Sequence, residues 1–473
     1  MSRYDIAALE ARLAGIKTET NPALVRQKSR DFYWYSPPLK RQLECVTADI
    51  VVAPRSQDEV IRTLAAAYDL AIPVTPRGTG TGNYGQAMPL SGGIVLDLSG
   101  MTAVTDVSLG RVTAEPGAVI ATLDKETRAR SGQELRVHPS TYHTASIGGF
   151  IAGGSGGIGS IRWGGLRDAG NILRLRVVTM ESSPRVLDLT GDDLHKVSHA
   201  YGTNGIITQV EMPLAPAYRW IDIILGFDTL AGAAAFANAA GEQDGLLLKE
   251  LGVVAAPIPH DHFKRHRKFL PRDKSIVLAM VAEQSLDPFL AFAHRFPMAE
   301  ILFRQDALGD EDLKGLPPVF ELSWNHTTLR ALRDDPGITY LQVLYPFPGQ
   351  LDLVTRIHER FGDELPAHLE FVKFDGKVTC FGLPLVRYTS EERLDEIMAI
   401  HEDMGAPIFN PHRYTLEEGG MKQTDSVQLA FKREADPRGL LNPGKMIAWE
   451  DPSYDYRSGK TYLFRGLAAD AAE

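Results

Sequence analysis

Two stretches of this 473-residue chain carry the residue types that could grip an anion and a flat ring system. The first, Pro76-Arg77-Gly78-Thr79-Gly80-Thr81-Gly82, alternates glycine with threonine directly after a cation. Glycine lets the backbone take positive φ and aim consecutive amide N–H groups at one point, which is how a loop cradles a pyrophosphate. The same pattern also serves a tight surface turn. In the second stretch, Gly148, Gly149, Gly153, Gly154, Gly156, Gly157 and Gly159 crowd into a dozen residues. Such density forfeits backbone entropy unless something large packs against the bare chain, and a planar cofactor would supply that packing. Ile147, Phe150, Ile151 and Ile158 interrupt the run with side chains of buried type, which speaks against a flexible linker.

Groups suited to proton transfer and charge stabilisation lie further on. Asn410-Pro411-His412-Arg413-Tyr414 concentrates a base, a cation and a phenol, and histidine fits the base role because its ordinary pKa lies near neutrality. A histidine after proline is also a common turn residue. Asn325 and His326 form a polar step in an apolar approach, and Tyr340, Gln342 and Tyr345 fall along one strand-like stretch that either lines a pocket or forms the outer face of a sheet. His260, His262 and His266 have metal-like spacing, but Lys264, Arg265, Arg267 and Lys268 around them would repel a divalent cation, so no metal is expected.

These groups need a scaffold of strands and helices, and the sequence predicts one. Residues 48–54 read as a strand, Ser56 with Glu59 as a capping box opening a helix to residue 68, and residues 72–75, 94–98 and 112–115 as further strands. A helix over residues 118–130 follows. Beyond residue 215 longer strands, 220–227 and 338–347, alternate with helices over 229–240 and 350–361. Asp375-Gly376 signals a hairpin between residues 368–374 and 377–383, and Thr389 with Glu392 caps a helix to about residue 404.

Several classes are excluded. A doubly wound dinucleotide fold needs its glycine loop to open a helix, whereas here residues 83–89 and Ser91-Gly92-Gly93 lead into a strand. Gly459-Lys460-Thr461 is no phosphate loop, because Tyr454 stands where the leading glycine belongs. A net charge of -10 argues against a nucleic-acid partner. No apolar run approaches a membrane span, and the two cysteines, Cys45 and Cys380, read as unpaired thiols of a reducing compartment, so a cytoplasmic protein is expected.

The ordered set of Pro76 to Gly82, then Ser146-Ile147-Gly148-Gly149, then Gly202-Thr203-Asn204-Gly205-Ile206-Ile207-Thr208, then Leu441-Asn442-Pro443-Gly444-Lys445 resembles the vanillyl-alcohol oxidase and p-cresol methylhydroxylase flavoprotein superfamily, in its glycolate oxidase and D-lactate dehydrogenase-like branch. The resemblance implies an α+β fold: a p-cresol methylhydroxylase-type FAD-binding domain over residues 1–215, an antiparallel-sheet cap domain for substrate over 216–424, and a C-terminal return to the FAD-binding domain over 425–473. It implies FAD contacts at Arg77, Gly78, Thr79, Gly80, Thr81, Gly82, Ser140, Ser146, Ile147, Gly148, Gly149, Gly153, Trp163, Gly164 and Ile207, with Asn442 and Lys445 closing the site.

The expected activity is oxidation of a 2-hydroxy acid or alcohol by hydride transfer to FAD, electrons leaving to oxygen or a separate acceptor. His412, Arg413, Tyr414, His326, Asn325 and Tyr345 are the catalytic candidates. A phenol or aryl-alcohol oxidase, or an idle flavin-holding subunit, stays open, as does a homodimer. The nicotinamide-using enolpyruvyl sugar reductases share a similar flavin domain, but the Asn-Pro-Gly-Lys tail and the larger cap speak against them. The chain also departs from its branch: where relatives carry a histidine-rich metal-binding segment, Phe374-Asp375-Gly376-Lys377-Val378-Thr379-Cys380 stands here. With Asn83 and Tyr84 where some relatives attach flavin through histidine, non-covalent FAD is expected, His143 and His412 being the remaining candidates for a bond.

Overall fold

The computed structural model describes residues 3–154, 156–420 and 426–455. Most of the helices and strands read from the sequence are present within a residue or two, because each rests on a periodic apolar face. Gln57–Asp69 buries Val60, Leu64 and Ala67 against strands, with Ser56 Oγ accepting the Glu59 amide. The Glu59 carboxylate reaches back to the Arg55 amide, at 2.7 Å, rather than to the cap residue itself. Gln350–Phe361 runs over the expected residues, and the hairpin strands His368–Phe374 and Lys377–Gly382 turn at Asp375-Gly376, both with positive φ.

Two sheets come from the first 216 residues. Four strands pair in the order Lys17–Glu19, Ile50–Ala53, Ile94–Asp97, Val74–Arg77, the last two pairings parallel. The second sheet runs Val104–Ser108, Arg111–Ala114, Ile206–Pro216, Arg174–Val178, Val186–Leu189, with Gln133–Leu135 joined to the long central strand. A seven-stranded sheet, antiparallel at every pairing, follows in the order Glu300–Arg304, Trp220–Phe227, Ser275–Ala282, Leu248–Val254, His368–Phe374, Lys377–Gly382, Val343–Tyr345. Helices Leu230–Gly241, Gln350–Phe361 and Glu391–Asp403 cover one face of it. Its other face meets the segment around Ile258 to Leu270 and the residues Val319 to Ala331.

The stretch expected as one strand over residues 338–347 is two. Ile338–Tyr340 pairs with Leu385–Arg387, while Val343–Tyr345 joins the large sheet. The chain changes partner at Leu341 and Gln342, and that breaks the alternation of faces. The cap of Glu391–Asp403 is Ser390, whose Oγ accepts the Arg393 amide, not Thr389. The second glycine-rich stretch is partly helical, with Ile147–Gly153 forming two turns.

The chain comes back to the first sheets near its end. Leu441 bridges Val74, whose amide donates to Leu440 O and whose carbonyl accepts the Asn442 amide. Lys432, buried on the helix Ser426–Ala435, reaches Thr203 O at 2.8 Å and Asp436 Oδ2 at 2.6 Å. A buried ion pair ties the large sheet to the second one, Lys249 Nζ to Glu134 Oε1 at 3.0 Å.

Candidate functional site

A single long cleft runs from the loop after Val74–Arg77, past Ile147–Gly153, to the edge of the large sheet. The first loop builds one wall. Gly80 sits at φ +74, and a Cβ there would overlap the Arg77 guanidinium; a Cβ on Gly78 would overlap Ser146 Oγ. Bare backbone at these two points is what allows the loop and the helix Ile147–Gly153 to approach. Thr79 Oγ1 ties them together by accepting the Ser146 amide at 3.1 Å.

The polar groups of this wall are left waiting for a partner. Arg77 Nε and Nη1 and Ser146 Oγ are buried without a hydrogen bond among the described residues. Burial pulls the Arg77 guanidinium below its ordinary pKa, opposed by Asp97 and Asp31, and it stays a cation. A buried donor left unpaired costs about 1–3 kcal/mol, so such a set fits an anionic ligand that completes it. A pyrophosphate has the charge and acceptors the set lacks.

Of the residues expected at the cofactor, Arg77, Gly78, Thr79, Gly80, Thr81, Gly82, Ser140, Ser146, Gly148, Gly149, Gly153 and Ile207 line this cleft. Others lie behind it. Ile147 is buried in the core of the second sheet, and Trp163 packs on that core while Gly165, not Gly164, reaches the cleft. Asn442 and Lys445 hold the turn just after the first loop. Asn442 Nδ2 donates to Gln86 O and Tyr201 O at 2.8 and 2.7 Å, and Lys445 Nζ to Gly85 O at 2.6 Å. Burial drives the Lys445 ammonium pKa down and neighbouring Asp31 opposes it.

The catalytic candidates scatter. Asn325 lines the cleft with Oδ1 unpartnered. His326, one residue along, stands outside the lining; burial and the cations Arg330 and Arg333 lower its pKa to about 4. His412 is 2% exposed, with Nε2 donating to Tyr340 O at 2.9 Å and Nδ1 accepting from Ser36 Oγ at 2.8 Å. Its burial lowers the pKa to about 3, so both ring nitrogens are committed to holding two segments together. Arg413 lies 4.0 Å from Glu418, Tyr414 packs beneath Lys445, and Tyr345 is buried in the core of the large sheet. These four stand outside the cleft lining: the segment 410–414 packs against Ser36 and Tyr340, and Tyr345 lies within the core of the large sheet.

Phe374, Phe381 and Phe409, which the sequence did not put forward as site residues, form an aromatic wall, and Gln342, read there as possible pocket lining, stands beside it with Trp324. Phe32, Tyr35, Asp168 and His199 also line the cleft, and burial together with Arg167 lowers the His199 pKa to about 3. An apolar hairpin reads as core, so nothing in its pattern marked Phe374 and Phe381 as cleft residues.

Comparison with known proteins agrees with this geometry. Residues 48–187, which include both glycine-rich walls, match the FAD binding domain family. The chain carries an FAD-binding domain. This domain is also where the sequence relatives align: the chain is 31% identical over 176 residues to glycolate oxidase subunit GlcD of Bacillus subtilis, covering 36% of this chain and 37% of that protein. It is 31% identical over 195 residues to D-lactate dehydrogenase of Archaeoglobus fulgidus, covering 39% and 43%. The match thus spans less than half the length of these relatives. Outside the FAD-binding domain the likeness is one of fold: alkyldihydroxyacetonephosphate synthase superposes with a TM-score of 0.68 at 15% identity, over 90% of this chain and 82% of that one. The expected α+β fold, a p-cresol methylhydroxylase-type FAD-binding domain with an antiparallel sheet beside it, is present.

Proposed function

We propose that this protein is an FAD-dependent oxidoreductase that oxidises the hydroxyl-bearing carbon of a hydroxy acid. The observation that carries the reading is the continuity of the cleft, which joins the unpaired Arg77 and Ser146 groups of the FAD-binding domain to Asn325, Gln342 and the aromatic wall. In this reading residues 1–215 and 425–473 hold FAD, and residues 216–424 present the substrate. The alignment of the FAD-binding domain with a glycolate oxidase subunit and a D-lactate dehydrogenase supports a hydroxy acid.

Arg77 and the amides of residues 78–82 hold the diphosphate, and Thr79 fixes their position against Ser146. Lys445 and Asn442 fix the turn that follows that loop, at Gly85 and Gln86, which limits the ordering cost that falls on binding. FAD held there would supply a two-electron acceptor for oxidation of a hydroxyl-bearing carbon, with the hydroxyl proton going to solvent and the electrons passing on to oxygen or a separate acceptor. Asn325 and Gln342 orient the substrate hydroxyl and carboxylate. The aromatic wall excludes water from the reacting carbon.

The two histidines weighed for a covalent bond to flavin do not reach it: His412 is engaged with Ser36 and Tyr340, and His143, 3.6 Å from Glu321, lies outside the cleft lining, which supports non-covalent FAD. Anaerobic mixing of the FAD-loaded protein with 2-hydroxy acids tests the function. Bleaching of the visible flavin band is expected with at least one of them, and no bleaching across a broad set refutes the reading.

A further inference from the structure

Two carboxyl groups lie buried behind Trp324 with no cation to neutralise them. The strands Leu248–Val254 and His368–Phe374 pair so that Gly252 stands opposite Glu370. A Cβ on Gly252 would lie 3.1 Å from Glu370 Oε2 and 3.6 Å from Glu250 Oε1, so the two carboxyls converge over bare backbone. Glu250 is 2% exposed and Glu370 1%, and no lysine or arginine pairs with either among the described residues. The groups around them are His368 on the same strand, Ser323, Trp324 and Thr327 from the segment packed on this face, and Met280 beside Glu250 on the next strand.

The hydrogen atoms of this cluster can be placed. Thr327 Oγ1 donates to Leu322 O at 2.6 Å, so toward His368 Nε2, 3.3 Å away, it can only accept. Nε2 therefore carries the imidazole proton, which it also directs at Glu370 Oε1, 2.6 Å away. That oxygen accepts the Trp324 amide as well. No donor among the described residues reaches Glu250 Oε1. Two ionised carboxylates cannot share so dry a site, and one proton between them supplies the missing donor. Burial and the neighbouring Glu370 raise the Glu250 pKa well above the ordinary carboxyl value, and burial lowers that of His368 to about 4, leaving its ring neutral.

We propose that Glu250 is a protonated carboxylic acid that donates to Glu370, and that this proton positions Trp324 and the start of the helix Asn325–Asp334 at the cleft. Glu250 does not line the cleft, so it is a positioning residue. With the proton present, Glu370 Oε2 is satisfied by Glu250 and Oε1 serves the Trp324 amide. Loss of the proton sets two buried negative charges against each other, which drives the carboxyls apart and releases that amide. Trp324, at φ 50, keeps its conformation only while its surroundings hold it. The wall formed by Trp324 and Asn325 is thus in place at neutral pH and loosens on the alkaline side. A second proton taken up at lower pH leaves Oε1 an acceptor, so the wall stays. The clamp stands apart from the redox chemistry; its consequence for turnover rests on the oxidoreductase reading above.

Fluorine NMR of the full-length, FAD-loaded protein carrying fluorotryptophan reads the clamp without a substrate, the Trp324 signal being assigned by its loss in Trp324→Phe. From about pH 6 to about pH 10 that signal is expected to shift on the alkaline limb. Glu250→Gln, whose amide donates to Glu370 but does not titrate, is expected to keep the neutral-pH signal and abolish the shift, whereas Glu250→Leu displaces the signal at neutral pH. Infrared spectra at neutral pH are expected to show a protonated-carboxyl band in the wild type that Glu250→Gln lacks. A Trp324 signal indifferent to pH, one that titrates equally in Glu250→Gln, or no carboxyl band lost in that variant overturns the proposal. Anaerobic flavin reduction by lactate and glycolate reads the consequence: apparent substrate affinity is expected to fall on the order of tenfold on the alkaline limb and to stay level in Glu250→Gln. Reduction with the same pH profile in both proteins overturns the role of Glu250 and leaves the hydroxy-acid reading standing. A titrating clamp with no reduction by any hydroxy acid supports Glu250 and refutes the oxidoreductase reading.

Discussion

The backbone amide of Trp324 donates to Glu370 Oε1, the same oxygen that lies 2.6 Å from His368 Nε2. Trp324 sits at φ 50, a conformation an L-residue adopts only when its surroundings impose it. Its ring reaches the cleft, where a Cβ on Gly156 would lie 3.2 Å away. A carboxylate on the large sheet thus holds the backbone at the mouth of Asn325–Asp334, the helix that brings Asn325 to the cleft. Burial raises the pKa values of Glu370 and its neighbour Glu250, which lie two register positions apart on paired strands.

Removing the acceptor at Glu370 should release Trp324. Glu370→Ala is expected to lower stability by ~1–3 kcal/mol through the unpaired buried amide and to weaken binding of carboxylates at the cleft. Glu370→Gln keeps a carbonyl in place and is expected to retain most of both. Chemical denaturation and ligand titration of the two variants distinguish this clamp from mere filling of space, which would treat them alike.

The link between the sheets makes a second prediction. Glu134 has no exposed side-chain surface, accepts Trp220 Nε1 at 2.8 Å and pairs with both Lys249 and Arg128. Lys249→Met is expected to destabilise the fold by about 3 kcal/mol, because it leaves a buried carboxylate with one partner fewer. Adding Glu134→Gln to it should recover part of the loss. Additive losses in urea melts of the single and double variants would contradict the pairing.

Asp222 gives the protein a pH dependence with a definite sign. Its carboxyl is buried on the strand Trp220–Phe227, accepts the Val319 amide at 3.0 Å, and burial raises its pKa to about 7 from an ordinary 3.8. Between those values the folded protein holds a proton that the unfolded chain releases. The contribution is therefore complete below about pH 4 and is lost as pH rises through 7, by up to ~4 kcal/mol. Asp222→Asn should flatten that part of the stability profile, and an unchanged slope in melts taken across this range would refute the assignment.

Much of this architecture was legible beforehand because local pattern and final packing agree. The helices Gln57–Asp69 and Gln350–Phe361 and the hairpin at Asp375-Gly376 each follow from periodicity or turn chemistry alone. What escaped was non-local. Nothing in the alternation of residues 338–347 announces that Tyr340 and Val343 belong to different sheets. The polarity of His412 suggests a base, while its burial against Ser36 and Tyr340 depends on partners 376 and 72 residues away. Conversely the cleft faces of Phe374 and Phe381 look like core, since an apolar strand residue is the same in sequence whether it meets a neighbour or a ligand.

The glycine wall makes the sharpest demand on a single atom. Gly80→Ala puts a methyl group into the space of the Arg77 guanidinium at a positive φ that costs an L-residue roughly 1–2 kcal/mol. FAD affinity is expected to fall at least on the order of tenfold while the core of the second sheet, which Gly80 does not touch, stays intact. Arg77→Met should weaken FAD by ~1.5–3 kcal/mol, the range for a hydrogen bond to a charged group.

The most direct test is a titration of flavin-free full-length protein with FAD, read by calorimetry and by the visible spectrum. Saturable binding of one FAD per chain, weakened in Gly80→Ala and Arg77→Met, is the predicted result. A protein that stays colourless and takes up no heat from FAD, or binds it equally well in both variants, would contradict the placement of the flavin between residues 77–82 and 146–157.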